Sequence, residues 1–125
     1  IASGGELSRI SLAIAVVTAQ TSNIPTVVFD EVDVGIGGGV AEVVGNLLRE
    51  LGQRGQVFCV THLAQVAAKG DSHLLAQKSV SKSGATTSIT ELNTDKRTAE
   101  LARMMGGLDV TQSSIAHAAE MLESA

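Results

Sequence analysis

Between Thr26 and His62 the chain runs through an apolar β-branched segment, a glycine-rich turn, an amphipathic helical pattern and a second apolar segment. This succession restricts it to the α/β class. The first run, TVVFD at Thr26–Asp30, has no polar residue between its ends, as strands covered on both faces tend to be. The stretch 40–51 carries Val40, Val43, Val44, Leu47, Leu48 and Leu51 on one helical face, and Gly52 follows as a glycine stop. QVFCVTH at 56–62 is a second buried strand. Strand, helix and strand in this order predict a right-handed parallel crossover.

The flanking segments fit around that unit. From 6 to 20, Leu7, Ile10, Leu12, Ala13, Ile14, Val16 and Val17 fall at mixed spacings of three and four, the pattern of a largely buried helix. Ser3 is its expected N-cap and Glu6 completes a capping box. The residue before Pro25 is pushed out of the α region, so SNIP ends the helix. A short helix is expected at 63–69, ended by Gly70, and strands at 73–80 and 86–93 flank a turn at Ser83 and Gly84 as an antiparallel hairpin. Two helices close the chain, 95–105 before Gly106 and Gly107, and 111–123 behind a Thr cap. The chain opens without an initiator Met, with Gly4 and Gly5 directly before a periodic segment, and reads as one incomplete α/β domain cut from a longer protein.

Composition removes several functions. With 44% apolar residues the chain has material for a core, but aromatics are only 2%, so stacking of nucleic-acid bases has little to work with. A net charge of −4 speaks against a generally basic DNA-binding surface. The single cysteine, Cys59, cannot form an internal disulfide, which points to a reducing compartment, and the cytoplasm is expected. No apolar run reaches the roughly 18 residues of a spanning helix, so no membrane partner is expected.

Chemistry gathers at the ends of the strands. A parallel strand ending in Asp30 and Glu31 delivers carboxylates to the carboxyl edge of the sheet, where α/β proteins bind ligands. Asp30 would hold Mg²⁺ directly or through water, and Glu31 would polarise a water attacking a γ-phosphate. SGGE at 3–6 leads glycines into a helix start, where free backbone N–H groups and the positive end of the dipole suit an anion. His62, at the end of VFCV, would donate to a phosphate oxygen or position the attacking water, or equally would cap a strand-to-helix turn. A metal site using Cys59 and His62 fails, because residues three apart on a strand face opposite sides and no second ligand pair exists.

In this order the motifs resemble those of ABC-type ATPases: ASGGELSR the signature motif, TVVFDEVD the Walker B strand, VGIGGG the D-loop region and VTHLAQVAA the switch-histidine segment. The DEVD form and its spacing are similar to the SMC-like branch. DEVDVGIGGGVAEVVG, CVTHLAQVAAKGDSHLL and RTAELARMMGG resemble the C-terminal head segment of a bacterial DNA-repair family of that branch. The resemblance implies the C-terminal lobe of an ABC/SMC-type P-loop ATPase head across the whole chain. It implies ATP and Mg²⁺ as cofactors, with Ser3, Gly4, Gly5 and Glu6 contacting ATP held by a second head. Asp30 would then bind Mg²⁺, Glu31 act as catalytic base and His62 face the γ-phosphate or lytic water. Most ABC proteins carry an Asp in the D-loop where this chain has Gly37. Asp33, Gly35 and Gly37 are placed at the interface with the second head of a homodimer.

No GxxxxGK[ST] phosphate loop occurs in the sequence. By the resemblance that loop lies in an N-terminal Walker A lobe, joined through a long coiled coil, and DNA is met by the full-length assembly in double-strand break repair and recombination, near the bacterial nucleoid. A different class of reading is a non-catalytic dimerisation or interaction module without its own phosphate loop. A transporter nucleotide-binding domain is disfavoured, since those read LSGGQ and DEPTSALD where this chain has ASGGE and DEVDVGIG.

Overall fold

A computed structural model describes residues 4–30, 32–106 and 109–125. In chain order the elements are α1 (Gly4–Thr21), β1 (Thr26–Asp30), α2 (Gly39–Gly52), β2 (Gln56–Val60), α3 (Ala64–Ala67), β3 (Leu74–Ser81), β4 (Gly84–Glu91), α4 (Thr94–Gly106) and α5 (Gln112–Glu123). β1 and β2 pair in parallel from Thr26 opposite Gln56 to Asp30 opposite Val60, with α2 as the connection that parallel neighbours require. The pairing is pinned at its start, where the Gln56 N–H donates to the Pro25 carbonyl at 2.8 Å. Gly55 permits that approach: a Cβ there would stand 3.0 Å from the same carbonyl oxygen.

Two apolar clusters hold the described residues together. Leu12 and Val16 of α1, Phe29 of β1, Ala41, Val44, Leu48 and Leu51 of α2 and Val66 of α3 form the first. Ala64 and Ala68 join Leu101 and Ala102 of α4 and Ala118 of α5 in the second. The α3 region thus serves both clusters, and polar bonds fix it on each side. The Arg49 guanidinium on α2 donates to the Lys69 carbonyl at 3.3 Å, and Lys69 Nζ lies 3.5 Å from Glu42. Arg97 on α4 donates to the Ala67 carbonyl at 3.0 Å and to the Gly70 carbonyl. Burial and the nearby Arg97 charge hold the His73 imidazole below its ordinary pKa of 6.5. A histidine kept neutral by the fold refuses a proton that the unfolded chain accepts, so stability falls as pH drops below about 6.5. Thermal melts of the full-length protein between pH 7.5 and 5.5 are expected to show this slope, and His73→Phe to flatten it.

Several expectations are corrected. The core strands are not covered on both faces: Phe29 is buried, but Val28 is 62% exposed on the opposite face, with Phe58 and Val60 of β2 also exposed. Nor is the first helix largely buried, since Leu7, Ile10, Ile14 and Val17 all face solvent. The cause is the same: among the described residues the parallel sheet has two strands, and no further layer covers that side. On α2, Val40 and Val43 are exposed while Ala41 and Gly45 are buried. At Gly45 α2 lies close against the α3 region, for a Cβ would meet Lys69 Cγ at 2.8 Å and the Gln65 carbonyl at 3.2 Å. Gly52 is the last helical residue, and the cap is Gln53 in right-handed backbone, so no left-handed glycine ends the helix.

The antiparallel hairpin is present, with Ser81 opposite Gly84 and Leu74 opposite Glu91. Its turn is tighter than the sequence suggests, and nearly every residue of both strands is exposed. The Thr111 cap of α5 is present as a reciprocal pair: Thr111 Oγ1 accepts from the Ser114 N–H at 3.1 Å, and the Ser114 hydroxyl accepts from the Thr111 N–H at 2.9 Å. The Ser3 cap lies outside the described residues. No helix among the described residues is long and apolar enough to cross a membrane.

Candidate functional site at the carboxyl edge of the sheet

Because Asp30 and Val60 are partners, the chain leaves both strands at the same level. After β1 it turns at 32–35, closed by the Ile36 N–H on the Asp33 carbonyl at 3.2 Å, with Gly35 at φ 75° and Gly38 at φ 56°. Those left-handed angles suit glycine and explain the composition of the turn. After β2 the chain passes through Thr61, His62 and Leu63 into α3.

One carboxylate joins the two exits. Asp33 Oδ2 accepts from the Thr61 hydroxyl, from the His62 backbone N–H at 3.0 Å, and lies 3.2 Å from His62 Nδ1. Thr61 Oγ1 in turn accepts from the Leu63 N–H at 3.0 Å. The Asp33 side chain is 2% exposed and that of His62 is 68% exposed, so the ring is anchored on its inner edge and open on its outer one.

Asp30 is exposed at the end of β1, in a cleft between α1 and β1 that Leu7, Ser11 and Val32 also line. Gly4 and Gly5 begin α1 and Glu6 stands in its first turn, whereas Ser3 and Glu31 lie outside the described residues. Gly37 stands in open space, since a Cβ there would meet nothing within 4 Å. Asp33 and His62 are brought together, although the sequence assigns them to separate tasks. Asp33, expected near the interface with a second head, is buried, with its carboxylate bonded within its own chain. Thr61 was missed altogether; its signal is a hydroxyl residue at a strand end, able to bond the backbone two residues on.

Asp30 fits one place in a Mg²⁺ shell, since that ion takes one or two carboxylates, phosphate oxygens and water. Among the described residues no group of three His, Cys, Asp or Glu side chains could hold a metal by itself, so the remaining ligands would come from elsewhere. Cys59 packs against the first core cluster, and burial, with the charges of Asp33 and Asp30, pushes its thiol pKa up to about 11. Little thiolate exists near neutrality, so iodoacetamide at pH 8 is expected to modify Cys59 roughly a hundredfold or more slowly than a free thiol. Peptide mass spectrometry over time measures that rate.

No protein-family model matches the chain. It is 52% identical over 125 residues to the DNA repair protein RecN of Vibrio cholerae, covering 100% of this chain and 23% of that protein. It is 53% identical over 123 residues to RecN of Haemophilus influenzae, covering 98% and 22%. The match to RecN of Bacillus subtilis is 39% over 125 residues, 100% of this chain and 22% of that protein. The chain therefore spans less than a quarter of these relatives' length. Among solved structures, one from work on ATP-driven dimerization and DNA-stimulated activation of SMC ATPases superposes with a TM-score of 0.68 at 20% identity. It covers 86% of this chain and 65% of that one. The fold is that of part of an SMC-type ATPase head.

Proposed function

Since the chain belongs to the RecN family, as a segment of its members' sequence, we propose that it is the C-terminal lobe of a composite SMC-like ATPase head. That head would bind and hydrolyse ATP in DNA double-strand break repair and recombination, in the bacterial cytoplasm at the nucleoid. The observation that carries this reading is the in-register parallel pair β1–β2, which sets Asp30 and the anchored His62 at one sheet edge.

Within that reading each residue has a task. Asp30 holds Mg²⁺, which when bound offsets the charge of the β- and γ-phosphates. Glu31 takes a proton from the attacking water, and His62 meets the γ-phosphate or that water through its open edge. Ser3, Gly4 and Gly5 at the start of α1, with Glu6 behind them, approach ATP held by the second head of a homodimer. The open turn around Gly35 and Gly37 meets that second head. The uncovered apolar residues Val28, Phe58 and Val60 of the sheet, with Leu7, Ile10 and Ile14 exposed on α1, are of the kind that marks a missing protein neighbour. Its occupant is the Walker A lobe of the same protein, which also supplies the phosphate loop.

The test compares the full-length protein with the 125-residue segment. With Mg²⁺, the full-length protein is expected to release phosphate from ATP and the segment alone is not. A full-length protein that hydrolyses no ATP, with or without linear DNA, overturns the reading.

A further inference from the structure

We propose that Asp33 is a positioning residue for His62: its buried carboxylate takes the ring's Nδ1 edge and leaves Nε2 as the atom that meets the γ-phosphate or the attacking water. The role rests on the ATPase reading of the site and adds a residue to it. Of the three groups gathered on Asp33 Oδ2 two belong to His62, the backbone N–H, which donates at 3.0 Å, and the ring Nδ1, which lies 3.2 Å away. A bond to the backbone alone would be a turn cap. The ring contact at 3.2 Å places the side chain as well, because it keeps the Nδ1 edge beside the carboxylate.

Capping alone also leaves the choice of residue unexplained. A carboxylate that is 2% exposed is expensive to bury, and a serine or asparagine would cap the turn without that penalty. What a carboxylate adds is a strong acceptor behind a histidine, which fixes the tautomer and orientation of the ring. With the proton held on Nδ1 beside Asp33, a neutral ring would present Nε2 as an acceptor, and a protonated ring would present it as a donor. Thr61 completes the anchor by spending its hydroxyl hydrogen on the same oxygen while accepting from the Leu63 N–H. The Asp33 carbonyl closes the turn at Ile36. One residue therefore ties the glycine turn to the ring, and a shift of the turn moves the anchor of His62.

Steady-state ATP hydrolysis by the full-length protein tests this. Asp33→Ala is expected to lower kcat about ten- to hundredfold, the range for losing the partner that orients a functional histidine. KM for ATP should stay within about threefold, as when an interaction acts after substrate is bound. In a His62→Ala background the same change should alter kcat less than about twofold, because residues acting as a unit are not additive. If Asp33→Ala fails to fold, Asp33→Asn keeps the shape but replaces the charged acceptor with a neutral amide oxygen, and at least about a tenfold loss is expected. An unchanged kcat, a loss carried by KM, or an undiminished further loss in the His62→Ala background overturns the proposal.

Failure of the ATPase reading is recognised separately, as wild-type protein without turnover. Crystal structures of the full-length protein then decide on Asp33. The His62 ring should occupy one rotamer against Asp33 in the wild type and leave it in Asp33→Ala, and an unmoved ring overturns the proposal.

Discussion

Replacing Glu31 with glutamine is expected to reduce ATP turnover by the full-length protein at least about a hundredfold, the lower end of what a general base contributes. Glutamine keeps the size of the side chain and removes its capacity to take a proton, so ATP should still bind. Phosphate release under saturating ATP and equilibrium binding of a fluorescent ATP analogue separate the two effects. Unchanged turnover would remove the base role from Glu31. Loss of binding together with turnover would place the residue in holding nucleotide instead. If two heads engage on ATP as proposed and hydrolysis parts them, the variant should also accumulate as an ATP-dependent dimer, visible by sedimentation.

Leu101→Ala should have the largest effect on stability, about 2–5 kcal/mol, the range for truncating a buried leucine. Leu101 is fully buried on α4, and its buried neighbours are Ala64, Ala68, Ala102 and Ala118. Alanines have no side-chain length with which to close a void, so most of the cavity would remain. The partly buried Met104, Met105 and Met121 around the cluster are flexible enough to recover a fraction of it. Thermal or chemical melts of the full-length protein measure the loss. A shift no larger than that of an exposed substitution such as Ile89→Ala would show that this cluster does not stabilise the fold.

Local patterning made the elements legible. Alternating spacings, Pro25 and the Thr111 cap placed α1, α2, α4 and α5 to within a few residues, and the β-branched runs placed β1 and β2. Burial was less legible, because periodicity reports which residues are apolar and not whether a layer exists to cover them. Val28 and Ile14 match buried residues in type, yet face solvent where no described element packs. The small residues Ala41 and Gly45 escaped notice for the opposite reason: they matter through close helix approach, which carries no hydrophobic signal. At the site, Asp30 and His62 were legible from their position after apolar strands. The contact from Asp33 to Thr61 and His62 spans 28 and 29 residues of sequence and depends on the register of two strands, which no local pattern encodes.

The shielded thiol of Cys59 has a practical consequence. Its pKa of about 11 separates it from an ordinary exposed cysteine, while Lys82 and Ser83 at the hairpin tip are exposed. A cysteine placed by Ser83→Cys would therefore take a maleimide dye near neutral pH while Cys59 stays unlabelled. Within this segment the hairpin becomes an addressable optical marker, with which the proposed engagement of two heads would be tested by energy transfer.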